Sequence, residues 1–552
     1  MPPASISKTG SPRVESLLAQ MTLEEKVSLC HGATLFSLPA IERLGIPEFR
    51  MSDGPHGVRE ELRTDAWGSA GRTDDAATCL PAGTALAATW NPELARRFGA
   101  ALGAEARARR KDVILGPGVN IMRTPLCGRN FEYFGEDPHL AGEIAVGVIE
   151  GVQRSGTAAC VKHFALNNQE LDRMKVSVEA DDRALREIYL PAFEAAVRRA
   201  RCLTVMGAYN RFRGRHCCHH RLLLCDILKD EWGFDGFVVS DWSGAHDTME
   251  AALDGLDVEM GNPAWIFEKG YLAGPFLAAL RDGRVPVAVV DDKVRRVLTV
   301  MERVGVWDER RPAGAFNTAE HQRTAYDAAA EAIVLLKNDG RRLPLDAARL
   351  RRVLVVGDNA RRKQAPGGGS SGIKALYEIT PLDGLRERLG PGVEIVWEPG
   401  YPDSEFDLEP IPAETLGVVE AGSGVRGWRV EVRSHARPER PIAEGRADGV
   451  RWPPFPVEVP PGWKRVVWRG TLEPAADGEA EFGLRASGHA TLRMDGEPVL
   501  HLRASGAVAG QTFTRRLTRG RPVEIELQWD SATDAADCAL QWRAPGAAPR
   551  ER

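Results

Sequence analysis

Several features that would narrow the class of function are missing from this sequence of 552 residues. It has no excess of basic charge, because 72 Lys and Arg residues stand against 77 Asp and Glu residues. That balance excludes a nucleic-acid-binding polycation. No uninterrupted apolar run approaches the length that spans a bilayer. We therefore expect neither nucleic acid nor a membrane as a partner.

The sequence also lacks the marks of secretion. Its first residues, Met-Pro-Pro-Ala-Ser-Ile-Ser-Lys, contain no apolar core of a signal peptide. The nine cysteines show neither Cys-x-x-Cys spacing nor the density of a disulfide scaffold, which fits a reducing compartment. These observations predict a cytoplasmic protein.

One run, His216-Cys217-Cys218-His219-His220, has the composition of a zinc site. Adjacent side chains alternate in direction, so five neighbours do not converge on one tetrahedral ion. The sequence also shows no second cluster of ligands that would complete such a site. A loop rich in histidine and cysteine is the better interpretation. We expect neither a metal nor another cofactor.

Short apolar runs alternate with amphipathic helices up to about residue 310. Thr22 and Glu25 form a capping box, and Asn91 followed by Pro92 predicts a helix over residues 93–110. Between such helices lie four predicted buried strands: residues 113–115, 158–161, 203–206 and 237–239. Apolar strands separated by helices indicate a parallel sheet covered on both faces. Residues 1–310 are therefore predicted to form a (β/α)8 TIM-like catalytic barrel.

Residues 311–411 are predicted to be a linker and the first part of an α/β sandwich domain. They contain an apolar run at residues 333–336 and a predicted buried strand at 353–356. A glycine run at residues 367–372 matches no nucleotide-binding fingerprint, since no Gly-Lys-Ser/Thr follows it. It is interpreted as a flexible loop that can approach a ligand.

Residues 412–552 change to a β pattern. Apolar and polar residues alternate strictly over 479–486 and 523–529, which predicts antiparallel strands with one wet face. Asp495-Gly496 is typical of a tight hairpin turn. This part is predicted to be a β-sandwich module. The module contains four tryptophans, most of which are expected in its core: Trp463, Trp468, Trp529 and Trp542.

A carboxylate ends the apolar strand that reads Gly-Phe-Val-Val-Ser-Asp-Trp over residues 236–242. Such an aspartate caps the next helix or has a role in a cleft. Other predicted strands also lead into polar or aromatic residues, namely Arg123, Lys162-His163 and Tyr209. Because the carboxyl ends of barrel strands meet at one rim, the repetition favours a shared active-site cleft.

Seven blocks of this sequence follow one another in a characteristic order. They are Ser-Asp-Gly-Pro-His-Gly-Val-Arg at 52–59, Leu-Pro-Ala-Gly-Thr at 80–84, Gly-Arg-Asn-Phe-Glu-Tyr-Phe-Gly-Glu-Asp-Pro at 128–138, Lys-His-Phe at 162–164, Asn-Asn-Gln-Glu at 167–170, Met-Gly-Ala-Tyr-Asn at 206–210 and Val-Ser-Asp-Trp at 239–242. In this order they resemble the blocks of glycoside hydrolase family 3, the retaining β-glucosidases. The resemblance covers residues 14–400.

The resemblance implies an exo-acting enzyme that removes terminal non-reducing β-D-glucosyl residues through a covalent glycosyl-Asp241 intermediate. It implies that sugar hydroxyls are held by Asp53, Arg59, Arg123, Lys162 and His163. It further implies that the sugar subsite is lined by Met206, Tyr209 and Trp242. The loop at 165–173 lacks the Asp-x-His acid of the hexosaminidase branch. A β-glucosidase is therefore favoured, with a β-xylosidase as the alternative.

Two departures from the family pattern concern residues 412–552. This part resembles the protective-antigen-type sandwich that some of these enzymes insert in their second domain, but it lacks the Asp-Asp pair of calcium-binding versions. The Glu-x-Glu-Gly-x-Asp-Arg-like loop that supplies the family's acid/base glutamate is expected after the insert, and no such loop follows it; residues 444–448 look similar but are interpreted as a solvated loop. We therefore expect a truncated or split enzyme of impaired activity.

The same departure leaves two further expectations. Half of an α/β sandwich would expose apolar strand edges, which favours self-association or binding of a complementing C-terminal fragment. The alternative function is a non-hydrolytic sugar-binding protein that keeps the cleft and has lost turnover. In both cases the small-molecule partner is a carbohydrate or a β-glucoside.

Overall fold

The computed structural model describes residues 10–59, 76–261, 264–365, 369–398, 400, 408–417, 426–434, 439–450, 464–531 and 537–547. These residues form two compact units. Unit 1 combines Met1–Leu345 with Lys363–Ile379, and unit 2 combines Asp346–Arg362 with Thr380–Arg552. The three predicted regions are a finer division, and their boundaries stay predictions.

A mainly parallel sheet forms the centre of unit 1. Its strands are β1 (Ser37–Leu38), β2 (Phe49–Asp53), β3 (Val113–Leu115), β4 (Ala158–Phe164), β6 (Thr204–Gly207) and β9 (Phe237–Val239). They lie side by side in this order, and every neighbouring pair except β1–β2 is parallel. Nearly all their side chains are buried, as expected when helices cover both faces of a parallel sheet.

Backbone bridges continue this sheet beyond β9. Val239 is bridged in parallel to Val258, and Glu259 to His31. The N–H of Ala33 then donates to the carbonyl of Ser37 in β1, at 2.8 Å. The α/β class and the predicted strands are confirmed. The sheet differs from that of a regular barrel in two ways: its first pair is antiparallel, and isolated bridges stand where a regular barrel has strands. The closed eight-stranded barrel stays a prediction.

Helices connect and flank these strands. They are α1 (Pro12–Gln20), α2 (Leu23–Ser28), α3 (Gly83–Ala88), α4 (Pro92–Ala108), α5 (Pro138–Arg154), α6 (Asp182–Ala184), α7 (Pro191–Arg198), α8 (Thr248–Leu253), α9 (Gly274–Arg281), α10 (Val287–Arg303) and α11 (Ala319–Glu331). The capping box of Thr22 with Glu25 is present, and the Asn91 side chain accepts from two N–H groups of α4. Both predicted helix starts are confirmed.

Two peripheral parts of unit 1 complete its description. A small sheet joins β5 (Ser177–Val178), β7 (Arg211–Phe212) and β8 (Arg215–His216). The apolar run at 333–336 contains no strand and is exposed, with 81% of Ile333 and 92% of Leu336 accessible to solvent. Within the described ranges, no helix is long and apolar enough to cross a membrane.

Unit 2 begins with a two-stranded parallel pair, β10 (Arg352–Val356) and β11 (Glu394–Glu398), together with helix α12 (Pro381–Leu389). The predicted strand at 353–356 is confirmed, but its predicted burial is wrong. Leu354 and Val356 are 62% and 59% exposed. Two strands alone leave one face without a covering layer, so alternate side chains meet solvent.

The rest of unit 2 is antiparallel, as predicted. Its strands are β12 (Glu409–Pro410), β13 (Trp428–Ser434), β14 (Ala443–Ala447), β15 (Lys464–Leu472), β16 (Gly478–Met494), β17 (Glu497–Leu517), β18 (Val523–Ser531) and β19 (Cys538–Arg543). Asp495 and Gly496 form the predicted hairpin turn, both with positive φ. Trp468, Trp529 and Trp542 are buried in the core, and Trp463 lies outside the described residues.

The long strand β16 pairs with three other strands of this unit, β17, β18 and β19. Its first half pairs with β19 and its second half with β18, and the change occurs at a bulge next to Gly488. Hydrogen bonds therefore join all eight strands into one sheet rather than two separate ones. The predicted loop at 444–448 is wrong, because Ala443–Ala447 is a strand paired with β13.

Candidate active site

A cavity of about 550 Å³ opens at the carboxyl ends of the parallel strands of unit 1. Its wall is mainly polar and includes the aromatic side chains of Phe131, Tyr209 and Trp242. The residues that line it are Asp53, Gly128, Arg129, Phe131, Lys162, His163, Glu170, Arg173, Met206, Tyr209, Asp241, Trp242, Ser243, Gly261, Gly369, Ser370 and Ser371. Seven of the nine predicted site residues are among them.

Arg59 and Arg123, the other two predicted residues, do not line the cavity. Arg59 is buried behind its wall, where its Nε donates to the carbonyl of Gly369 at 3.2 Å. Arg123 is exposed to solvent. Arg129 occupies the wall instead, because the turn at residues 124–130 carries the chain back toward the cavity and Asn130 closes it by donating to the carbonyl of Thr124. The role of Arg123 stays a prediction, and Arg129 is the arginine of this loop that lines the cavity.

Asp241 lies two residues beyond β9 with its carboxylate in the cavity. The backbone N–H of Asp241 donates to the carbonyl of Gly207 at 3.2 Å, and its Oδ1 accepts from the N–H of Trp242 at 2.8 Å. Burial raises the pKa of Asp241, although Arg129, Lys162 and the Trp242 N–H oppose that rise. The carboxylate is thus held in a fixed direction and is largely shielded from solvent.

A second carboxylate, Asp53, ends β2 on the same rim. Its Oδ1 lies 3.7 Å from the Nζ of Lys162, and both side chains are almost fully buried. Its Oδ2 accepts no hydrogen bond from any residue that the structure describes. Burial raises the pKa of Asp53 to about 6, against the opposing effect of Lys162 and Arg59. A buried acceptor without a donor is suited to a ligand hydroxyl.

His163 faces Asp241 from the end of β4, with 3.7 Å between Nε2 and Oδ2. Burial lowers the pKa of His163 well below its ordinary value, and Arg129 and Lys162 lower it further. The ring is therefore neutral and forms no ion pair with Asp241. Asn120 fixes the His163 backbone by accepting from its N–H and donating to its carbonyl, at 2.8 and 2.9 Å.

Two arginines that sequence reasoning missed extend into the cavity. Arg129 is paired with the buried Glu132. Burial alone would raise the pKa of Glu132, but the charges of Arg129 and Lys162 hold that pKa below its ordinary value. Arg173 donates to Glu170 at 2.7 Å and lies over the ring of Tyr209, 4.6 Å from its centroid. Both belong to quoted sequence blocks or the loop after them, so the signal was available.

The predicted flexible loop reaches the cavity. Gly369–Ser371 forms a short 3₁₀ turn, and Ser370 accepts from Arg129 at 3.4 Å. Residues 366–368 lie outside the described part of the chain. The interpretation of this glycine run as a loop that approaches a ligand site is consistent with this placement.

The histidine- and cysteine-rich run forms a packed cluster next to the cavity. His216 donates from Nδ1 to the carbonyl of Tyr209 and accepts at Nε2 from Arg211, and the ring of His246 stacks on it at 3.8 Å. Cys217 and Cys218 are buried free thiols. Within the described residues, no three His, Cys, Asp or Glu side chains are arranged to hold a metal ion.

Comparison with known proteins shows which protein family this chain matches. Residues 45–300 match the glycosyl hydrolase family 3 N terminal domain, and residues 333–541 match the glycosyl hydrolase family 3 C-terminal domain. The β-glucosidase BoGH3A of Bacteroides ovatus is 53% identical over 402 residues, which are 70% of this chain and 53% of that protein.

Two further similarities bear on structure and specificity. The exo-α-(1→6)-L-arabinopyranosidase of Bifidobacterium longum is 41% identical over 73% of this chain and 52% of its own length. The crystal structure of the Kluyveromyces marxianus β-glucosidase in complex with glucose superposes with a TM-score of 0.74 and 31% identity. It covers 96% of this chain and 65% of that one. The chain thus spans about half the length of the relatives it matches by sequence. It belongs to glycosyl hydrolase family 3.

Proposed function

We propose that the cavity of unit 1 belongs to a retaining, exo-acting β-glycosidase that removes terminal β-D-glucosyl residues. The observation that carries this proposal is the placement of Asp241. It is a buried carboxylate oriented by a backbone N–H at the rim of a polar cavity. Such a group suits nucleophilic attack on an anomeric carbon.

The other cavity residues are suited to holding one sugar ring. Asp53 offers the acceptor oxygen that lacks a donor, and Lys162 lies beside it as a donor. Arg129 and neutral His163 add donors on the Asp241 side. The indole of Trp242 supplies an apolar plane, and its Nε1 is anchored to the carbonyl of Leu35 at 2.7 Å.

The proposed reaction has two displacements. In the first, a carboxylate oxygen of Asp241 forms a bond to the anomeric carbon while the bond to the aglycone oxygen breaks. The electron pair leaves with that oxygen, which takes up a proton. In the second, a water oxygen attacks the same carbon, loses a proton, and Asp241 departs as a carboxylate. Two inversions give a sugar with retained configuration.

The proton for the aglycone is the demanding part of this scheme. Among the described residues, the carboxyl groups that line the cavity are Asp53, Glu170 and Asp241. Glu170 accepts hydrogen bonds from Asn167 and Arg173, so both its oxygens are engaged. We propose that turnover is strong for leaving groups that need no protonation and weak for alkyl glycosides, since general-acid help contributes about 10²–10⁴-fold.

Finer assignments belong to the same proposal. Closure of the unit 1 sheet into a (β/α)8 barrel is supported by the bridges at Val258 and His31. A protective-antigen-type origin of the antiparallel strands of unit 2 is proposed on the alternation of apolar and polar residues along them.

Self-association, or binding of a complementing fragment, is proposed on the exposed apolar run at 333–336. Self-association would appear as a larger mass in light scattering.

The test uses a panel of 4-nitrophenyl glycosides with β-D-gluco, β-D-xylo and α-L-arabinopyrano configurations, together with methyl β-D-glucoside. We expect the highest kcat/KM on the 4-nitrophenyl β-D-glucoside and little turnover of the methyl glycoside. Preference for the xyloside would support the β-xylosidase alternative. Equal turnover of methyl and 4-nitrophenyl glucosides would contradict the proposed lack of acid assistance.

The role of Asp241 needs its own experiment. A 2,4-dinitrophenyl 2-deoxy-2-fluoro-β-glucoside is expected to add one fluoroglucosyl group to Asp241, found by peptide mass analysis. Asp241→Gly is expected to lose hydrolysis and, with azide, to form the α-glucosyl azide. The exposed N-cap variant Asp247→Asn is the matched control and should label normally. Glucose binding without any labelling would favour the non-hydrolytic alternative.

A further inference from the structure

The histidine- and cysteine-rich run has no part in the proposed reaction, although it lies next to the cavity. Its two thiols, Cys217 and Cys218, are fully buried and do not line the cavity. The N–H of Cys217 donates to the carbonyl of Asn210 at 3.0 Å, and its thiol donates to the carbonyl of Ala165 at 3.5 Å. The run is therefore bonded to the chain that follows β6 and to the chain that follows β4.

The second thiol reaches the backbone around the proposed nucleophile. Cys218 donates to the carbonyl of Ala208 at 3.3 Å, and its sulfur also shares a hydrogen bond with the backbone of Asp241. A Cβ built at Gly207 would lie 2.9 Å from this sulfur, and a Cβ built at Gly244 would lie 2.8 Å from it. Neither glycine thus has room for a side chain, because the sulfur packs closely against both backbones.

The same two glycines hold the main chain of Asp241. The N–H of Asp241 donates to the carbonyl of Gly207 at 3.2 Å, and the N–H of Gly244 donates to the carbonyl of Asp241 at 2.8 Å. The carboxylate is fixed in turn by the N–H of the next residue, Trp242. A shift of this backbone therefore moves the carboxylate. Because protein interiors are close-packed, a change in the volume of the Cys218 side chain is expected to cause such a shift.

We infer that Cys218 is a positioning residue for the proposed nucleophile, whose thiol sets how closely the Asp241 carboxylate approaches the anomeric carbon. This rests on the proposed function, since it needs a covalent step at Asp241. Asp53 and Lys162, which are proposed to hold the sugar, belong to β2 and β4 and not to the backbone that Cys218 supports. Changes at Cys218 should therefore slow bond formation and leave sugar binding nearly unchanged.

The experiment measures two quantities on the full chain. One is the first-order rate constant at which saturating 2,4-dinitrophenyl 2-deoxy-2-fluoro-β-glucoside labels Asp241, and the other is the affinity for glucose. Cys218→Val, which branches at Cβ, should label about tenfold more slowly, because a misplacement of about 1 Å can cost about 100-fold in rate. Cys218→Ala, which removes the sulfur without adding bulk, should label severalfold more slowly. Cys218→Ser keeps a donor for the Ala208 carbonyl and should label within about threefold of the wild type. Glucose affinity should change by less than about twofold in all three.

The matched control is Cys225→Val. Cys225 is also a fully buried free thiol beside a glycine, since a Cβ built at Gly255 would lie 3.0 Å from its sulfur, and it does not line the cavity. This variant should lose thermal stability but keep both the labelling rate constant and the glucose affinity.

The outcomes separate positioning from packing and from the proposed catalysis. A purely structural Cys218 would lower the melting temperature and the fraction of protein labelled, but not the rate constant of the folded protein. Labelling of Cys218→Ala at the wild-type rate, or an equal fall in rate and glucose affinity, would overturn the inference while the proposed function stands. If Cys218→Val does not fold, Cys218→Ala decides the question. A wild type that binds glucose but is never labelled would contradict the proposed function, and this inference with it.

Discussion

Replacing Asp53 with Asn tests the electrostatics of the cavity most directly. The amide has nearly the size of the carboxyl group, so the packing around β2 is kept while the titration is removed. In the native protein, burial raises the pKa of Asp53 from 3.8 to about 6. In the unfolded chain the same group has its ordinary pKa.

The sign of the effect follows from proton binding. Between pH 3.8 and about 6, folded Asp53 keeps a proton that the unfolded chain has lost, so a rise in pH favours unfolding. The gap between the two pKa values corresponds to about 3 kcal/mol at 25 °C. The amide of the variant cannot titrate. The stability of Asp53→Asn relative to the wild type should therefore increase by about 2.4 kcal/mol between pH 4, where the unfolded carboxyl is already more than half ionised, and pH 7.

Urea denaturation of both proteins at pH 4, 5, 6 and 7 measures this difference. Replacing the protonated carboxyl with the amide changes stability by an amount that does not depend on pH, so the pH dependence of the difference is the informative quantity. Sugar binding should be lost in the same variant, because the amide cannot replace a charged acceptor next to Lys162. A difference in stability that stays flat from pH 4 to pH 7 would refute the reasoning.

Three further predictions concern the frame around the site. Lys229→Met should destabilise unit 1 by about 3–5 kcal/mol in urea, because Lys229 and Asp257 form a buried pair at 2.7 Å; adding Asp257→Asn should recover part of this. Gly488→Ala should lower the melting temperature of unit 2, since φ is +85° and the new Cβ would lie 2.3 Å from a carbonyl oxygen; Gly392→Ala, which meets open space, should not. Thr318→Ala should cost about 1 kcal/mol in urea, because its side chain caps α11, and Thr318→Ser should restore most of it.

Local signals predicted most of the fold correctly. The capping residues Thr22 and Asn91 begin helices where the pattern indicated, since a cap depends only on the next few residues. Burial of β10 was predicted wrongly because it depends on which strands lie beside it, and one parallel neighbour does not cover Leu354. The change of partners along β16 depends on tertiary packing at Gly488 and has no signature in an alternating pattern.

The site was predictable where a side chain directly follows a strand. Asp53, Lys162 and Asp241 each sit at a strand end or just beyond it, so parallel pairing brings them to one rim. Arg123 does not line the cavity, because the loop after β3 is long and the position at which it returns to the rim is set by its own turn. That turn places Arg129 there instead.

The residues of the cavity wall come from distant parts of the chain, and this determines how folding of the cavity can be monitored. Arg59 is hydrogen-bonded to the wall residue Gly369, and the two are 310 residues apart in sequence. Wall residues come from the ends of successive strands and from the loops that follow them, so no single segment of unit 1 contains the site. Occupation of the cavity requires the long-range pairing of the whole sheet. Labelling of the proposed nucleophile Asp241 by a glycosylating reagent is therefore expected to follow global unfolding of unit 1, whereas fraying of the exposed run at 333–336, which is not part of the wall, should leave the labelling unchanged.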